Sequence, residues 1–314
     1  MAYPIVAGHP AYSGTFIPEI WSSKLIEKYY DSTVLSQISN TLYEGMITGQ
    51  GDKVIIRTMP TLDIHEYSIG QTLVNQRPEA PTIELLIDKG FYWSTIIDDV
   101  VEKQQDIDQM NLWAQDAAEQ LKIKLDTRVL ASISPDIAAE NKGATAGRLS
   151  GNINLGATNT PVAITKDTIL EKILHMGQVL DEQNVPETGR WLIMPFWATT
   201  LLKMSDIKDA SLTGDGSTPL RNGRVGIIDR FTIYNSNLLP RFTDVLDPGG
   251  TPVSVNTTEF LAGTDYGLTF ATQLTKTESL RAESTFGNIM RGLMVYGHKV
   301  IKPEALTRLY VRQG

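Results

Sequence analysis

A mixed α+β fold built around one long helix is what the chain predicts, on three observations. Residues 106 to 133 (DIDQMNLWAQDAAEQLKIKLDTRVLASI) carry neither Gly nor Pro. Apolar or small side chains recur there at Met110, Ala114, Ala117, Leu121, Leu125, Val129 and Ile133, steps of three and four that trace one face of a helix. Residues 53 to 97 switch to the two-residue alternation of strands, and after residue 160 helix and strand patterns mix between Gly- and Pro-rich loops. At 1.5 Å per residue the long helix would run roughly 40 Å, the width of a small domain, so it is expected to be a strut with other elements laid across it.

Taken in order, residues 1 to 18 contain Pro4, Pro10 and Pro18 with Gly8 and Gly14, which forbids a helix and predicts an extended arm. Ile17, Trp21, Leu25 and Tyr29 then recur every fourth residue, predicting a helix up to about Asn40 with Glu19 favoured by the dipole at its start. KVIIRTM (53 to 59) and IELLID (83 to 88) read as strands, the second with Ile83, Leu85 and Ile87 alternating against Glu84, Leu86 and Asp88. A turn at Lys89-Gly90 is expected before a further strand, FYWSTII (91 to 97).

The stretch between Met59 and Thr82 holds Pro60, Gly70, Pro78 and Pro81 among polar side chains, too long and irregular for an ordinary connection. It predicts a long hairpin that projects outward. A two-stranded ribbon alone in water is marginally stable, so contact with another chain is expected to complete it.

Asp106 with Gln109 is expected to cap the long helix, and Pro135 to stop it after Ser134. Residues 141 to 161 (NKGATAGRLSGNINLGATNTP) are small and polar, a flexible connector between lobes. In the second lobe Thr165 and Asp167 open a helix with a buried stripe of Ile169, Ile173, Met176 and Leu180, ended by Pro186. RWLIMP (190 to 195) reads as a buried strand, Phe196 to Met204 as a helix, 214 to 224 as loop, 225 to 237 as a bent strand pair and 247 to 258 as loop. Phe260 to Ala271 and Met290 to Val300 are helix or strand, and KPEALTRLYV closes the chain.

Composition excludes several functions. The 314 residues carry 36 acidic against 28 basic side chains, a formal charge of -8, which is unsuited to wrapping nucleic acid by neutralising phosphates. Without cysteine there are no disulfides and no thiolate metal sites. No basic leader precedes the first lysine at Lys24, so no export is expected. Apolar runs such as Trp191 to Met194 and Leu85 to Ile87 are far short of the ~20 residues that span a bilayer, so no membrane partner is expected.

Chemistry-bearing motifs are sparse, and no cofactor or metal is expected. His9, His65, His175 and His298 stand singly, without a second ligand at metal-site spacing, and structural roles are the commoner outcome for such residues. Nucleophile-elbow, Walker and dinucleotide fingerprints are absent. Asp98, Asp99, Glu102, Asp106 and Asp108 form an acidic cluster that suits paired-carboxylate chemistry or a hard cation. Acids approaching a helix N-terminus are equally what the dipole favours. Asp215-Gly216-Ser217 lacks the alternating oxygen ligands of a calcium loop. Lys53 and Lys89 bracket the hairpin, placed to pair with acids on a neighbouring chain or to stand solvated.

Several segments in this order resemble a known family: FIPEIWSSKLIEKYYDSTVLSQISN (16 to 40), IELLIDKG (83 to 90), the DDV at 98 to 100, AAEQLKIKLDTRVLASI (117 to 133), LRNGRVGIIDRFTIYNSNLLP (220 to 240) and FGNIMRGLMVYGHKVIKPEAL (286 to 306). Together they resemble the major capsid protein of tailed bacteriophages, with the Hong Kong 97-like fold. The resemblance implies an N-terminal arm and helix at 1 to 44 and an extended hairpin loop at 45 to 97. It implies a peripheral domain with a spine helix at 98 to 140 plus about 286 to 314, a connector at 141 to 160, and a mixed axial domain at 161 to 285.

It further implies self-assembly as pentamers and hexamers into an icosahedral shell, a virion component put together in the host cytoplasm around double-stranded DNA held without sequence-specific binding. The other implied partners are a separately encoded scaffolding protein, a portal protein and a decoration protein. No covalent cross-links are expected, and the acidic balance would suit an inner wall that repels packaged DNA. Candidate inter-subunit contacts are Trp21, Lys53, Arg57, Arg77, Glu79 and Lys89. A cellular nanocompartment shell is the alternative within the fold, and a carboxylate enzyme using Asp98, Asp99, Asp106 or Asp108 is the alternative outside it.

Overall fold

The computed structural model describes residues 28, 30–44, 53–60, 62–104, 109–205, 226–246 and 253–314. In chain order these form α1 (Leu35–Ile38), β1 (Lys53–Arg57), β2 (Thr82–Leu86), β3 (Lys89–Asp98), α2 (Asp99–Gln104) and α3 (Gln109–Asp136). There follow β4 (Val162–Ile164), α4 (Ile169–Glu182), β5 (Arg190–Met194), α5 (Phe196–Met204), β6 (Ile227–Ile228) and β7 (Phe231–Asn235). The chain ends with β8 (Arg241–Leu246), β9 (Val253–Thr264), β10 (Leu268–Arg281), β11 (Gly287–Val300) and β12 (Leu306–Gln313).

The largest sheet runs β4-β12-β9-β5-β7-β6, with β8 pairing the first half of β9. Strand β5 is buried at every position, as its unbroken apolar run Trp191 to Met194 requires of a strand covered on both faces. One face carries α4, whose Ile169, Ile173, Met176 and Leu180 pack on Leu192, Met194, Phe231, Phe260 and Leu309. The other carries α3, where Leu125, Val129, Leu130 and Ile133 meet Trp191, Ile193, Leu261 and, from α1, Leu35 and Ile38. Each such side chain contributes roughly 1.5–3 kcal/mol on burial.

A three-stranded antiparallel sheet, β10-β11-β3, continues from this layer. Beside it the ribbon β1-β2 is anchored by Ile56, Leu85 and Ile87 against Ala271. Gly297 permits that approach, since a Cβ there would lie 2.2 Å from the Leu86 carbonyl oxygen.

Several expectations are corrected. Helix α3 does not stop at Ser134 but continues through Pro135 to Asp136. A proline there costs only the one N–H that would have reached the Ala131 carbonyl, and the helix-ending carbonyls of Pro135 (2.9 Å) and Ser134 (3.4 Å) accept from the Lys142 ammonium. Only the second half of the expected apolar face is buried, because the first half projects beyond the large sheet.

The helix expected up to Asn40 is, over the described residues, a non-helical run 30–34 and the single turn α1. Its leading N–H groups, Val34 and Leu35, bond the Asp126 carboxylate instead of a preceding turn. Lys89-Gly90 is no turn; both residues pair in β3, opposite Tyr296 and Val295. The 141–161 stretch is not a flexible connector, since Asn141, Ala146, Ile153 and Leu155 are buried and Leu155 bonds the backbone of Gly143 and Tyr310. Helix α4 is entered at Thr168, not capped by the Thr165 side chain. Residues 253–258, expected as loop, are the start of β9, where the β-branched run Val253, Val255, Thr257 outweighs the preceding Pro and Gly.

The 83–88 alternation, α4's buried stripe, the 190–194 strand, the helix Phe196–Met204 and the strand pair near 225–237 are as expected. The Asp106 cap, the Ile17 to Leu25 repeat and the 214–224 loop lie outside the described residues.

Candidate assembly interface

The ribbon leaves the body at Arg57 and returns at Thr82. Between these points the two legs have no ladder but stay together. The Thr58 N–H and hydroxyl both donate to the Pro81 carbonyl, at 3.0 and 2.6 Å, and the Gln76 side chain exchanges two bonds with the Asp63 backbone. The tip turns at Ser68 to Gln71, with Gly70 supplying a φ of +83°. Seven apolar side chains line this stretch: Met59, Leu62, Ile64, Tyr67, Ile69, Leu73 and Val74, exposed by between 56% and 100%. Covering them would release on the order of 10 kcal/mol of hydrophobic free energy, which the lone chain forgoes.

A second exposed apolar region lies at the projecting half of α3. Leu112 and Trp113 are exposed there, with Val100 and Val101 of α2 and Phe286 before β11. Beneath this half of the helix, Phe91, Trp93, Ala117, Leu121 and Lys124 line an open groove of about 350 Å³. The outer face of the three-stranded sheet adds Tyr92, Ile96, Leu293 and Leu280 around Glu278, which Arg291 and Lys276 hold and thereby keep below the ordinary carboxylate range.

The acidic cluster is not arranged for catalysis among the described residues. The Asp99 carboxylate is gripped by the Arg281 guanidinium, Glu102 accepts from the Asn288 amide at 3.1 Å, and the Asp99 N–H bonds the Phe286 carbonyl. These contacts tie α2 to β10 and β11. Asp106 and Asp108 lie outside the described residues, and no group of acids or histidines able to hold a metal occurs within them.

Among the expected contact residues, Lys53 is spent within the ribbon on Glu84 at 3.0 Å. Arg57, Arg77 and Glu79 stand exposed on the ribbon, and Lys89 is half-buried at its base. Trp21 lies outside the described residues.

Three buried charged residues that the sequence pattern did not single out fix the body beneath these surfaces. Asp126 accepts the N–H groups of Val34 (2.6 Å) and Leu35 (3.2 Å), and its burial pushes its carboxyl up. Glu259, also pushed up by burial, accepts from Ser134 and Arg308, each at 3.0 Å. Arg190 donates to the carbonyls of Val185 (2.7 Å) and Pro186 (2.9 Å) and pairs with Asp181 at 2.7 Å. The partners of Asp126 and Glu259 come from distant parts of the chain, and those of Arg190 from loop backbone and from Asp181 of α4, so no motif spacing signalled them.

Comparison with known proteins accords with a structural role. Residues 91–309 match the family model described as phage capsid protein. No match was found among curated proteins. The fold is similar to a chain of Mycobacterium phage Che8, with a TM-score of 0.76 and 24% identity over 95% of this chain and 98% of that one. It is also similar to the capsid of cyanophage P-SCSP1u (TM-score 0.72, 16% identity, 95% and 94% covered) and to that of Ralstonia phage GP4 (TM-score 0.63, 14% identity, 100% and 99% covered). With the family match spanning most of the chain and the architecture shared end to end with phage capsids, the protein belongs to the phage capsid protein family, as a tailed-phage major capsid protein of the Hong Kong 97-like fold.

Proposed function

We propose that copies of this chain join as pentamers and hexamers that close an icosahedral shell around packaged double-stranded DNA, each ribbon lying on a neighbouring copy. The observation that carries this reading is the excursion beyond the ribbon, seven exposed apolar side chains between Met59 and Val74 left uncovered among the described residues. Arg57, Arg77, Glu79, Lys89 and, from the arm, Trp21 are the side chains assigned to that contact, with Lys53 stiffening the ribbon through Glu84.

The division into arm (1–44), loop (45–97), peripheral domain (98–140 with 286–314), connector (141–160) and axial domain (161–285) is supported by the separate ribbon and the long helix. It is a division of surfaces rather than of sheets, since β10 lies beside β11 and β12 lies within the large sheet between β4 and β9. Scaffolding, portal and decoration proteins are the partners such a shell would meet during assembly in the host cytoplasm. A net charge of -8 suits an interior that lets DNA spool without adhering. No catalytic role is assigned, because Asp99 and Glu102 are occupied in holding α2. The family match favours a phage shell over a cellular nanocompartment.

Electron microscopy and sedimentation of the purified protein test the reading. The wild type should form closed shells tens of nanometres across. A variant carrying Ile64→Ser, Ile69→Ser and Leu73→Ser should fold, with an unchanged circular dichroism spectrum, yet fail to close shells. Normal shells from that variant would sink the assignment of the ribbon.

A further inference from the structure

We propose that His298 is an acid-released pin that fastens the buried half of α3 to the inner face of the three-stranded sheet. His298 lies on β11 with its ring against Tyr296 (centroids 6.2 Å apart, 16° between planes), on the face where Tyr296 also stacks on Phe91 of β3. Its Nε2 is 2.5 Å from the Ser132 hydroxyl of α3, and that hydroxyl sits 2.7 Å from the Val129 carbonyl. A carbonyl can only accept, so the hydroxyl proton goes to Val129 and the imidazole donates its Nε2–H to Ser132. In the neutral form of that tautomer the other nitrogen, Nδ1, carries no proton, and it is buried with no partner among the described residues.

A proton added at Nδ1 would be a buried donor with no acceptor among the described residues, on a half-buried ring. The charged groups around it come from every element packed there. Lys89 of β3 and Arg128 of α3 oppose the new charge, whereas Asp88 at the end of β2 and Asp136 at the end of α3 favour it. Lys299, the next residue of β11, already engages Asp136 at 3.5 Å. Burial is the largest influence, followed by Lys89, and together they hold the imidazole down at about 4 against an ordinary value of 6.5.

The sign follows. The packed site admits only the neutral ring, so its hold is complete above pH 6.5 and is lost as pH falls from there toward 4. A protonated ring is best satisfied by turning out toward Asp88 or Asp136, which gives up Ser132 and the Tyr296 stack. One titration therefore loosens the helix from the sheet. This pin is internal to one chain and does not depend on how copies assemble.

Hydrogen–deuterium exchange on the full-length protein at pH 7 and pH 4, corrected for the intrinsic pH dependence of exchange, tests it. Protection of residues 126–136 and 296–300 should fall by roughly a hundredfold in the wild type, as expected when a proton binds 2.5 units more weakly in the packed state. Protection in α4 should fall far less. In His298→Gln, which keeps a donor for Ser132 but cannot become charged, that selective loss should vanish. Ser132→Ala should lower protection of the same segments already at pH 7, a readout that remains if the glutamine variant does not fold. Unchanged relative protection at pH 4 in the wild type, or the same selective loss in His298→Gln, would overturn the proposal.

Discussion

The carboxylate of Asp126, buried in the middle of the long helix, accepts the backbone N–H of Val34 at 2.6 Å, a bond across 92 positions of sequence. It takes the Leu35 N–H as well, so one side chain supplies what a preceding turn of helix would have given α1. Asp126→Ala should leave two buried donors unsatisfied and cost about 2–4 kcal/mol. The check is a lowered denaturant midpoint at unchanged slope.

Asp126 also carries a pH signature. Its folded pKa is raised above 3.8 by burial, so the folded chain holds the proton more tightly and ionisation costs stability at neutral pH. That cost is relieved as pH falls through the folded pKa. An Asp126→Asn variant lacks this titration, so its deficit relative to the wild type should be smaller at pH 7 than near pH 4. Equal deficits by urea unfolding at the two pH values would contradict the assignment.

Arg308 reaches across from β12 to Glu259 on β9 at 3.0 Å, and Glu259 is almost wholly buried. Arg308→Met should destabilise by about 3–5 kcal/mol, because an uncompensated carboxylate remains in the interior. The double variant Arg308→Met with Glu259→Leu should recover much of that loss. Thermal unfolding of the two variants side by side provides the measurement.

Asp99 and Arg281 form a pair open to solvent, with 37% and 55% of their side-chain surface exposed. Asp99→Asn should therefore change stability by less than about 1 kcal/mol. Shell formation, read by light scattering, should persist in this variant.

Gly297→Ala would place a methyl carbon 2.2 Å from the Leu86 carbonyl oxygen, backbone that cannot yield as a flexible side chain does. The expected outcome is a ribbon base pushed off β11. Faster proteolysis between residues 57 and 89 at unchanged circular dichroism would report it.

Much of the fold was legible because its signals are local. The stripe of α4, the apolar run of β5 and the alternation at Ile83 to Ile87 each state a periodicity that burial then matched. The projecting ribbon was legible from what it lacks, a long irregular stretch with nothing to pack on. Pro135 misled because so near the end of a helix a proline withdraws a single donor, while the terminal carbonyls of Ser134 and Pro135 are served by Lys142 from outside the helix. The small residues after Asn141 looked loose because their anchorage is backbone bonding to distant segments, such as Tyr310 N–H to the Leu155 carbonyl. The buried Asp126 and Glu259 and the half-buried His298 read as ordinary surface or scattered residues. Only the tertiary arrangement puts their partners beside them.

The two unequal halves of α3 have a mechanical consequence. From Leu125 onward the helix is clamped by Trp191, Ile193 and Leu261, while Leu112 and Trp113 find no such hold among the described residues and this half is tied chiefly at the surface, through Asp116 to Lys28 and Tyr30. In a shell of the kind proposed, the helix would act as a cantilever, seated firmly at one end and meeting a neighbouring copy at the other. The load would then fall on the end with the fewer anchors, away from the clamped core.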